Sequence, residues 1–392
     1  MSETLSKNMT DLGRRLRLGF VGGGARSGIG ATHRYAPPPG GKYEIVAGAF
    51  DIDPEKGRAF AAGLFLDPAR VYDDVGHLIA AEKKRADPVD VVAVLTPNHT
   101  HYAISAALVD AGFDVICEKP LTTTMDDARA MLAKIDAAGT VMAINYGYSG
   151  YPMVRQAKAM IARGDFGRIT LVQSEWAFGN QATMTEEVGG HWRTKPGLVG
   201  RAAVLNQIGT HAVHTASLVS GLALESLSAD LSTFIEGRAL QDNAQILLRF
   251  ADGARGALWV SYVAAGAWHG FRFKVFGEKG GLEWVQEDPN HLLVHTLGGE
   301  RRLLTRAGVG ATKEALAASR IAPAHPEGFI EAIANLYGDF AEAVAARKLG
   351  RMPAIDTYPN QHDGALGVHF IDAAVESSAR DGAWVDARMP KE

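Results

Sequence analysis

The chain has 392 residues, 47% of them hydrophobic and 21% charged, with 44 acidic against 40 basic side chains and a formal net charge of −4. At about 100–200 residues per domain this is material for two or three domains with cores of their own, and the slight acidity argues against a basic nucleic-acid footprint. One cysteine, Cys117, excludes an internal disulfide framework and fits a reducing compartment.

Residues 1–12 are polar and mixed in charge and lack the apolar centre of a secretory signal. No apolar run approaches the roughly 20 residues that span a bilayer, so a cytoplasmic protein with no membrane partner is expected. From there the chain alternates. Short apolar runs at 16–21, 43–50, 89–95, 113–117 and 140–145 read as buried strands, and helical patterns fill 53–64, 75–84, 101–111 and 124–138. Such alternation predicts an α/β, doubly wound parallel sheet over residues 1–147. The pattern then changes. A helix is expected at 153–163, and long strands at 169–178, 227–234, 244–250, 257–263 and 271–277, with Ala251-Asp252-Gly253 as a hairpin signal. Helices are expected at 209–219, 327–348 and 363–378; His325-Pro326-Glu327-Gly328 is read as the start of the second of these, the other reading being that it reaches the site. Residues 148–392 thus read as an α/β domain on an open, mostly antiparallel sheet, the last helices being able to pack back on the first domain. Residues 307–324 read as a loose connection.

The first strand ends in Gly22-Gly23-Gly24-Ala25-Arg26-Ser27-Gly28-Ile29-Gly30. Glycines between a strand and a helix let backbone approach a pyrophosphate, as in a Rossmann dinucleotide site. The spelling is not G-x-G-x-x-G, because the last glycine comes late, and a plain glycine-rich turn would look similar. Asp51 strengthens the case. It ends the second strand, 21 residues after Gly30, where an acid accepts the ribose hydroxyls and repels a 2′-phosphate. Ile52 follows rather than arginine, so NAD is expected over NADP. The competing reading is that Asp51 only caps the next helix. Gly22, Gly24, Ser27, Gly28, Ile29 and Asp51 are the cofactor residues this reading selects.

Thr96-Pro97-Asn98-His99-Thr100-His101 follows the third strand and Glu118-Lys119-Pro120 the fourth. Both lie at strand carboxyl ends, where open α/β sheets bind ligands. A lysine there can polarise a substrate oxygen or move a proton.

Together these segments resemble the glucose–fructose oxidoreductase/inositol dehydrogenase/MocA family over nearly the whole chain. The resemblance implies a Rossmann domain followed by an α/β domain on an open sheet. It implies that Thr96, Pro97, Asn98 and His101 border the nicotinamide, that Glu118 belongs to the cofactor site, and that Lys119 contacts both cofactor and substrate. Tyr148-Ser149-Gly150-Tyr151-Pro152 and Trp192-Arg193 resemble substrate-side segments of the branch that includes levoglucosan and related sugar dehydrogenases, and Gly277-Glu278-Lys279-Gly280-Gly281 resembles a glycine turn in its sheet. In Asn206-Gln207-Ile208-Gly209-Thr210-His211, His211 matches the family's catalytic histidine. Gln207 stands where the family has an aspartate. Glutamine keeps the hydrogen-bonding shape without the charge that stabilises a protonated histidine or lysine, which leaves slower oxidation, altered substrate choice or reliance on Lys119 open. The four-residue spacing places Gln207 and His211 on one helix face.

His214 is one turn further on. Two histidines so spaced can ligate a metal, but no Cys, Asp or Glu flanks them at ligand spacing, so no metal is expected. His191, Trp176 and Trp192 are read either as pocket-lining groups, whose aromatic faces suit sugar C–H surfaces, or as ordinary packing. The resemblance implies NAD-dependent oxidation of a secondary hydroxyl of a sugar, anhydrosugar or cyclitol to a keto product, in a homodimer or homotetramer. Redox-neutral, NAD-assisted elimination or hydrolysis of a glycoside and a non-catalytic dinucleotide sensor are the alternatives.

Overall fold

The computed structural model describes residues 7–37, 41–185 and 192–389. It divides into two compact units, Met1–Gly147 with Ile333–Ala365, and Tyr148–Ala332 with Leu366–Glu392.

The first unit is built on strands β1 (Leu16–Gly22), β2 (Tyr43–Ala49), β3 (Val91–Leu95), β4 (Asp114–Cys117) and β5 (Met142–Ile144), in the order β2-β1-β3-β4-β5. Every pair is parallel. A parallel sheet is covered on both faces, which is why β3 reads Val-Val-Ala-Val-Leu and is buried throughout. Helices α1 (Lys7–Leu12), α2 (Gly30–Tyr35), α3 (Pro54–Ala62), α4 (Val75–Glu82), α5 (His101–Asp110) and α6 (Met125–Ala138) accompany it. Several predicted helix starts fell one residue early because the residue concerned is the cap. Asp53 accepts Glu55 N and Lys56 N, and Thr124 accepts Asp127 N, each satisfying a first-turn donor. Strand β3 begins later than expected because Asp90 is drawn off by Arg14 and by the backbone of Arg17. From β1 the chain runs outward to β2 and then back to β3, so the carboxyl ends of β1 and β3 flank the topological switch point where such sheets take ligands.

The second unit carries a nine-stranded sheet: β6 (Ile169–Ala177), β7 (Leu224–Ser232), β8 (Asn243–Phe250), β9 (Arg255–Ser261), β10 (Arg272–Gly277), β11 (Gly280–Val285), β12 (His291–Thr296), β13 (Arg301–Thr305) and β14 (Val385–Asp386), ordered β13-β12-β11-β10-β6-β9-β8-β7-β14. All neighbours are antiparallel except β6 and β9. The expected hairpin joins β8 and β9, with Asp252 at φ 61° and Gly253 at φ 81° making the turn. Helices α7 (Pro152–Ala162), α8 (Pro196–Val199), α9 (Thr210–Ser220) and α10 (Lys313–Ala317) belong to this unit, whereas α11 (Phe329–Lys348) belongs from Ile333 onward to the first unit and α12 (Gln361–Ala379) from Leu366 onward to the second. Side chains of α7 and α9 join inward residues of the sheet, among them Val172, Leu258, Phe273 and Trp284, in one buried core. The opposite face is exposed and carries Leu171, Leu247 and Trp259.

Two expectations need correction. Strands β11 to β13 were not read from the sequence; of these, Arg301-Arg302-Leu303-Leu304-Thr305 forms a largely exposed edge without a buried alternation. Residues 307–324 are not a loose connection. They contain α10, and Arg306, only 2% exposed, donates to the carbonyls of Ile321, Ala322 and His325 while pairing with Glu327 at 2.8 Å. Glu327 in turn accepts the backbone N–H groups of Arg320 and Ile321, and α11 begins at Phe329, two residues later than predicted. Because removing one member of a buried pair strands the other charge, Arg306→Ala should cost about 3–5 kcal/mol. Denaturant unfolding checks this, and a cost below about 1 kcal/mol would refute the staple.

Candidate active site

In the first unit the glycine turn is enforced by close approach. A Cβ at Gly22 would lie 2.8 Å from Leu95 O, one at Gly24 2.5 Å from Phe50 O, and one at Gly30 2.2 Å from Gly23 O. Gly22 also sits at φ 79°, a conformation that glycine adopts freely. Gly28, in contrast, faces open space. The late glycine, Gly30, is therefore the tight one, and the spelling that departed from the simple motif keeps its sterics. Ser27 shapes the turn by accepting Gly30 N at 3.1 Å, and Ile29 is half-buried beside it. A tight backbone turn without side chains at the switch point fits a dinucleotide.

Asp51 follows β2. The helix cap is Asp53, so Asp51 is not that cap. Its Oδ1 accepts Asp53 N at 3.0 Å and Arg26 Nη2 at 2.8 Å. Burial pushes the carboxyl up, but those two bonds and the Arg26 charge outweigh it, and the group titrates below the usual range.

The loops after β3 and β4 are clasped by His101. It is fully buried, with Nδ1 2.7 Å from Pro120 O and Nε2 2.9 Å from Thr96 O. Burial drives this imidazole toward its neutral form, which has one N–H to give. Thr100 Oγ1 donates within the same loop, to Thr96 or to Pro97 O, both at 2.7 Å, and Asn98 is buried there. Beyond Cys117, whose thiol burial pushes up to about 12, Glu118 enters a network absent from the sequence reading. Its Oε1 lies 2.8 Å from His33 Nε2 and accepts Asn145 Nδ2, while His33 Nδ1 lies 2.8 Å from Tyr337 Oη. Burial raises the Glu118 pKa, but His33, the neighbouring Lys119 charge and Asn145 more than reverse this and hold it at about 2. Lys119 is half-buried at the end of the same loop.

In the second unit, His211 lies in the first turn of α9 and is 6% exposed. Its ring meets Tyr148 edge-on at 5.0 Å and Trp176 at 5.6 Å. His269, which the sequence reading missed, completes the group: it stacks on Trp176 at 4.8 Å, and its Nε2 lies 3.2 Å from Tyr148 Oη. Burial lowers its pKa to about 4, so it is neutral at working pH. Its only sequence signal is a lone histidine just before β10. Tyr151 is buried against Trp284. Trp192 packs apart from this group, with Val199, Ala203 and Leu240, and Arg193 lies over its ring at 5.0 Å.

Gln207 sits in a π turn, Leu205–Gly209, which precedes α9. The turn runs without a break into α9, with helical backbone at Gly209 and Thr210. Gln207 Nε2 donates to Arg193 O at 3.4 Å. His214 is half-buried on α9, and no metal-ligating trio occurs among the described residues. His191 lies outside the described residues. No helix among them is long and apolar enough to cross a membrane.

A glycine turn at the switch point and a strand-end carboxylate define a dinucleotide-binding protein. Comparison with known proteins specifies it. Residues 16–146 match the oxidoreductase family with an NAD-binding Rossmann fold, and residues 154–283 match the GFO/IDH/MocA C-terminal domain. An uncharacterised oxidoreductase of Bacillus subtilis is 34% identical over 96% of this chain and 98% of its own. Levoglucosan dehydrogenase of Pseudarthrobacter phenanthrenivorans is 28% identical over 76% of this chain and 80% of its own. Among solved structures, an inositol dehydrogenase homologue from Azotobacter vinelandii, complexed with NAD+, superposes with a TM-score of 0.91 at 38% identity, covering 95% of this chain and 97% of that one. The chain belongs to the GFO/IDH/MocA oxidoreductase family, and it is an NAD-dependent oxidoreductase among sugar and cyclitol dehydrogenases.

The depressed Glu118 pKa has a definite pH consequence. A carboxylate held below its unfolded value contributes stability that is present above about 4.5 and lost as pH falls toward about 2. Thermal melts of wild type and Glu118→Gln should therefore differ most at neutral pH and converge on acidification below about pH 4.5; a difference that grows on acidification would refute the assignment.

Proposed function

We propose that this protein oxidises a secondary hydroxyl of a cyclitol or sugar to the ketone, with Lys119, His211 and Gln207 as the groups that act on substrate. The observation that carries this reading is His211, buried among Tyr148, Trp176 and His269. An imidazole walled by aromatic faces suits a ring bearing both C–H surface and hydroxyls. The Azotobacter vinelandii homologue, which was also crystallised with NADH and myo-inositol, supports placing cyclitols first among the candidates.

NAD, when bound, would supply the hydride acceptor for the carbinol carbon. Gly22, Gly24 and Gly30 would form its backbone cradle, Asp51 would take the adenine-side ribose, and the Thr96–Asn98 loop beside His101 would border the nicotinamide. His211 takes the hydroxyl proton on a ring nitrogen. The Lys119 ammonium favours negative charge developing on the substrate oxygen. The Gln207 amide orients substrate without adding charge, so the imidazolium formed at His211 is stabilised less than by a carboxylate. Self-association through the exposed sheet face with Leu171, Leu247 and Trp259 belongs to the same proposal. The chain's place among oxidoreductases disfavours the sensor reading, and no observation favours redox-neutral chemistry.

An NADH-absorbance screen of NAD+ with inositols, sugars and anhydrosugars should give turnover with at least one polyol, and silence across the panel would refute the proposal. With that substrate, Lys119→Ala should lower kcat/KM by about 10²–10⁴-fold while NADH still binds; unchanged turnover would remove the lysine from the mechanism. Gln207→Asp should raise kcat by about tenfold if charge alone limits His211. A neutral or harmful effect would show glutamine to be matched to the substrate.

A further inference from the structure

We propose that His33 is a positioning residue for the hydroxyl oxidation: with its ring fixed by Tyr337, it keeps Glu118 an anion, and that anion keeps the neighbouring Lys119 an ammonium. The inference rests on the reading of Lys119 as the cation that favours charge on the substrate oxygen. It adds that the lysine holds its proton rather than serving as the base, and that a buried side chain remote from substrate decides this.

The hydrogen bonds run in one direction. His33 stands on α2, just after the glycine turn, and has no exposed surface, so it acts only through its neighbours. Its Nε2 lies 2.8 Å from Glu118 Oε1 and its Nδ1 2.8 Å from Tyr337 Oη. Opposite an ionised carboxylate Nε2 must carry hydrogen, since a lone pair there would face negative charge. The neutral ring then accepts at Nδ1 from the Tyr337 hydroxyl. Burial keeps that phenol protonated, so its proton is always there to give. Tyr337 is held in its turn: Tyr43 Oη donates to its carbonyl at 3.0 Å, and the two rings meet edge-on at 5.6 Å. Donation thus passes from Tyr337 through His33 to Glu118, and Asn145 Nδ2 adds a second donor on the same oxygen.

The charge held this way acts on Lys119. His101, Cys117 and Tyr337 also feel Glu118, but burial favours the neutral form of each. The Lys119 charge acts on Glu118, and such an attraction is mutual. Without the His33 donor, burial would drive Glu118 to take up a proton. The half-buried ammonium next to it would lose its counter-charge and give up its own proton more readily.

Carbon NMR of the full chain, with its lysines labelled at Cε, tests this without turnover. The Lys119 resonance is assigned by its loss in Lys119→Ala. His33→Gln should lower the pH at which that resonance titrates by about one unit. Tyr337→Phe, which keeps the ring and its packing, should lower it by about half a unit. An unchanged titration in both variants would overturn the proposal. With the polyol that the NADH screen yields, the alkaline limb of kcat/KM should move to lower pH by the same amounts. A rate lowered equally at every pH, with the limb in place, is what a purely structural role gives, and it would overturn the proposal too. NADH binding shows that each variant is folded, and if His33→Gln does not fold, Tyr337→Phe decides. The two readings fail separately. Unchanged turnover in Lys119→Ala removes the lysine from the chemistry, and the NMR titration still decides whether His33 sets its charge.

Discussion

A buried carboxylate that must stay ionised organises the first unit. Glu118 follows β4 directly, where a charge is costly unless its oxygens are bonded. His33 from α2 and Asn145 from the end of β5 meet one of those oxygens, and Tyr337 from α11 meets the other face of His33. The helix that follows the glycine turn, the loop carrying Lys119 and the last parallel strand are thereby tied to one another through a single atom. His101 adds a second tie, between the loops after β3 and β4. A lysine between two such fastenings has its backbone fixed before substrate arrives, which is what positioning in catalysis requires.

Much of this architecture was legible in the sequence because it is written in local terms. Apolar runs with helical spacers gave the parallel sheet, and Asp51 stood out as an acid at a strand end. What escaped depends on partners distant in sequence. Nothing near His33 announces Glu118, and nothing near Arg26 announces Asp51. The choice between Gly28 and Gly30 turned on which one meets the Gly23 carbonyl, and spacing alone does not carry that. Strand β13 was missed because an exposed edge strand need not alternate. The loop at 307–324 looked loose because its anchor, Arg306, precedes it and makes its bonds to carbonyls, which leave no trace in side-chain pattern.

The second unit shows a different limit. The aspartate-to-glutamine departure at position 207 was visible, but its setting was not. A π turn holds Gln207 and leads directly into the helix that holds His211. Such turns recur at functional sites because the extra residue re-aims a side chain without breaking the helix that follows. His269 was equally hidden, since a histidine before a strand has no signature until Trp176 and Tyr148 are seen against it.

Cys117 makes the molecule convenient to instrument. It is the only thiol in the sequence, it is wholly enclosed, and at neutral pH almost none of it is in the thiolate form that reacts with alkylating dyes. A cysteine introduced at an exposed position would therefore be the sole target of a maleimide fluorophore or spin label, with the native residue left in place, and paired labels could follow the separation of the two units directly in solution.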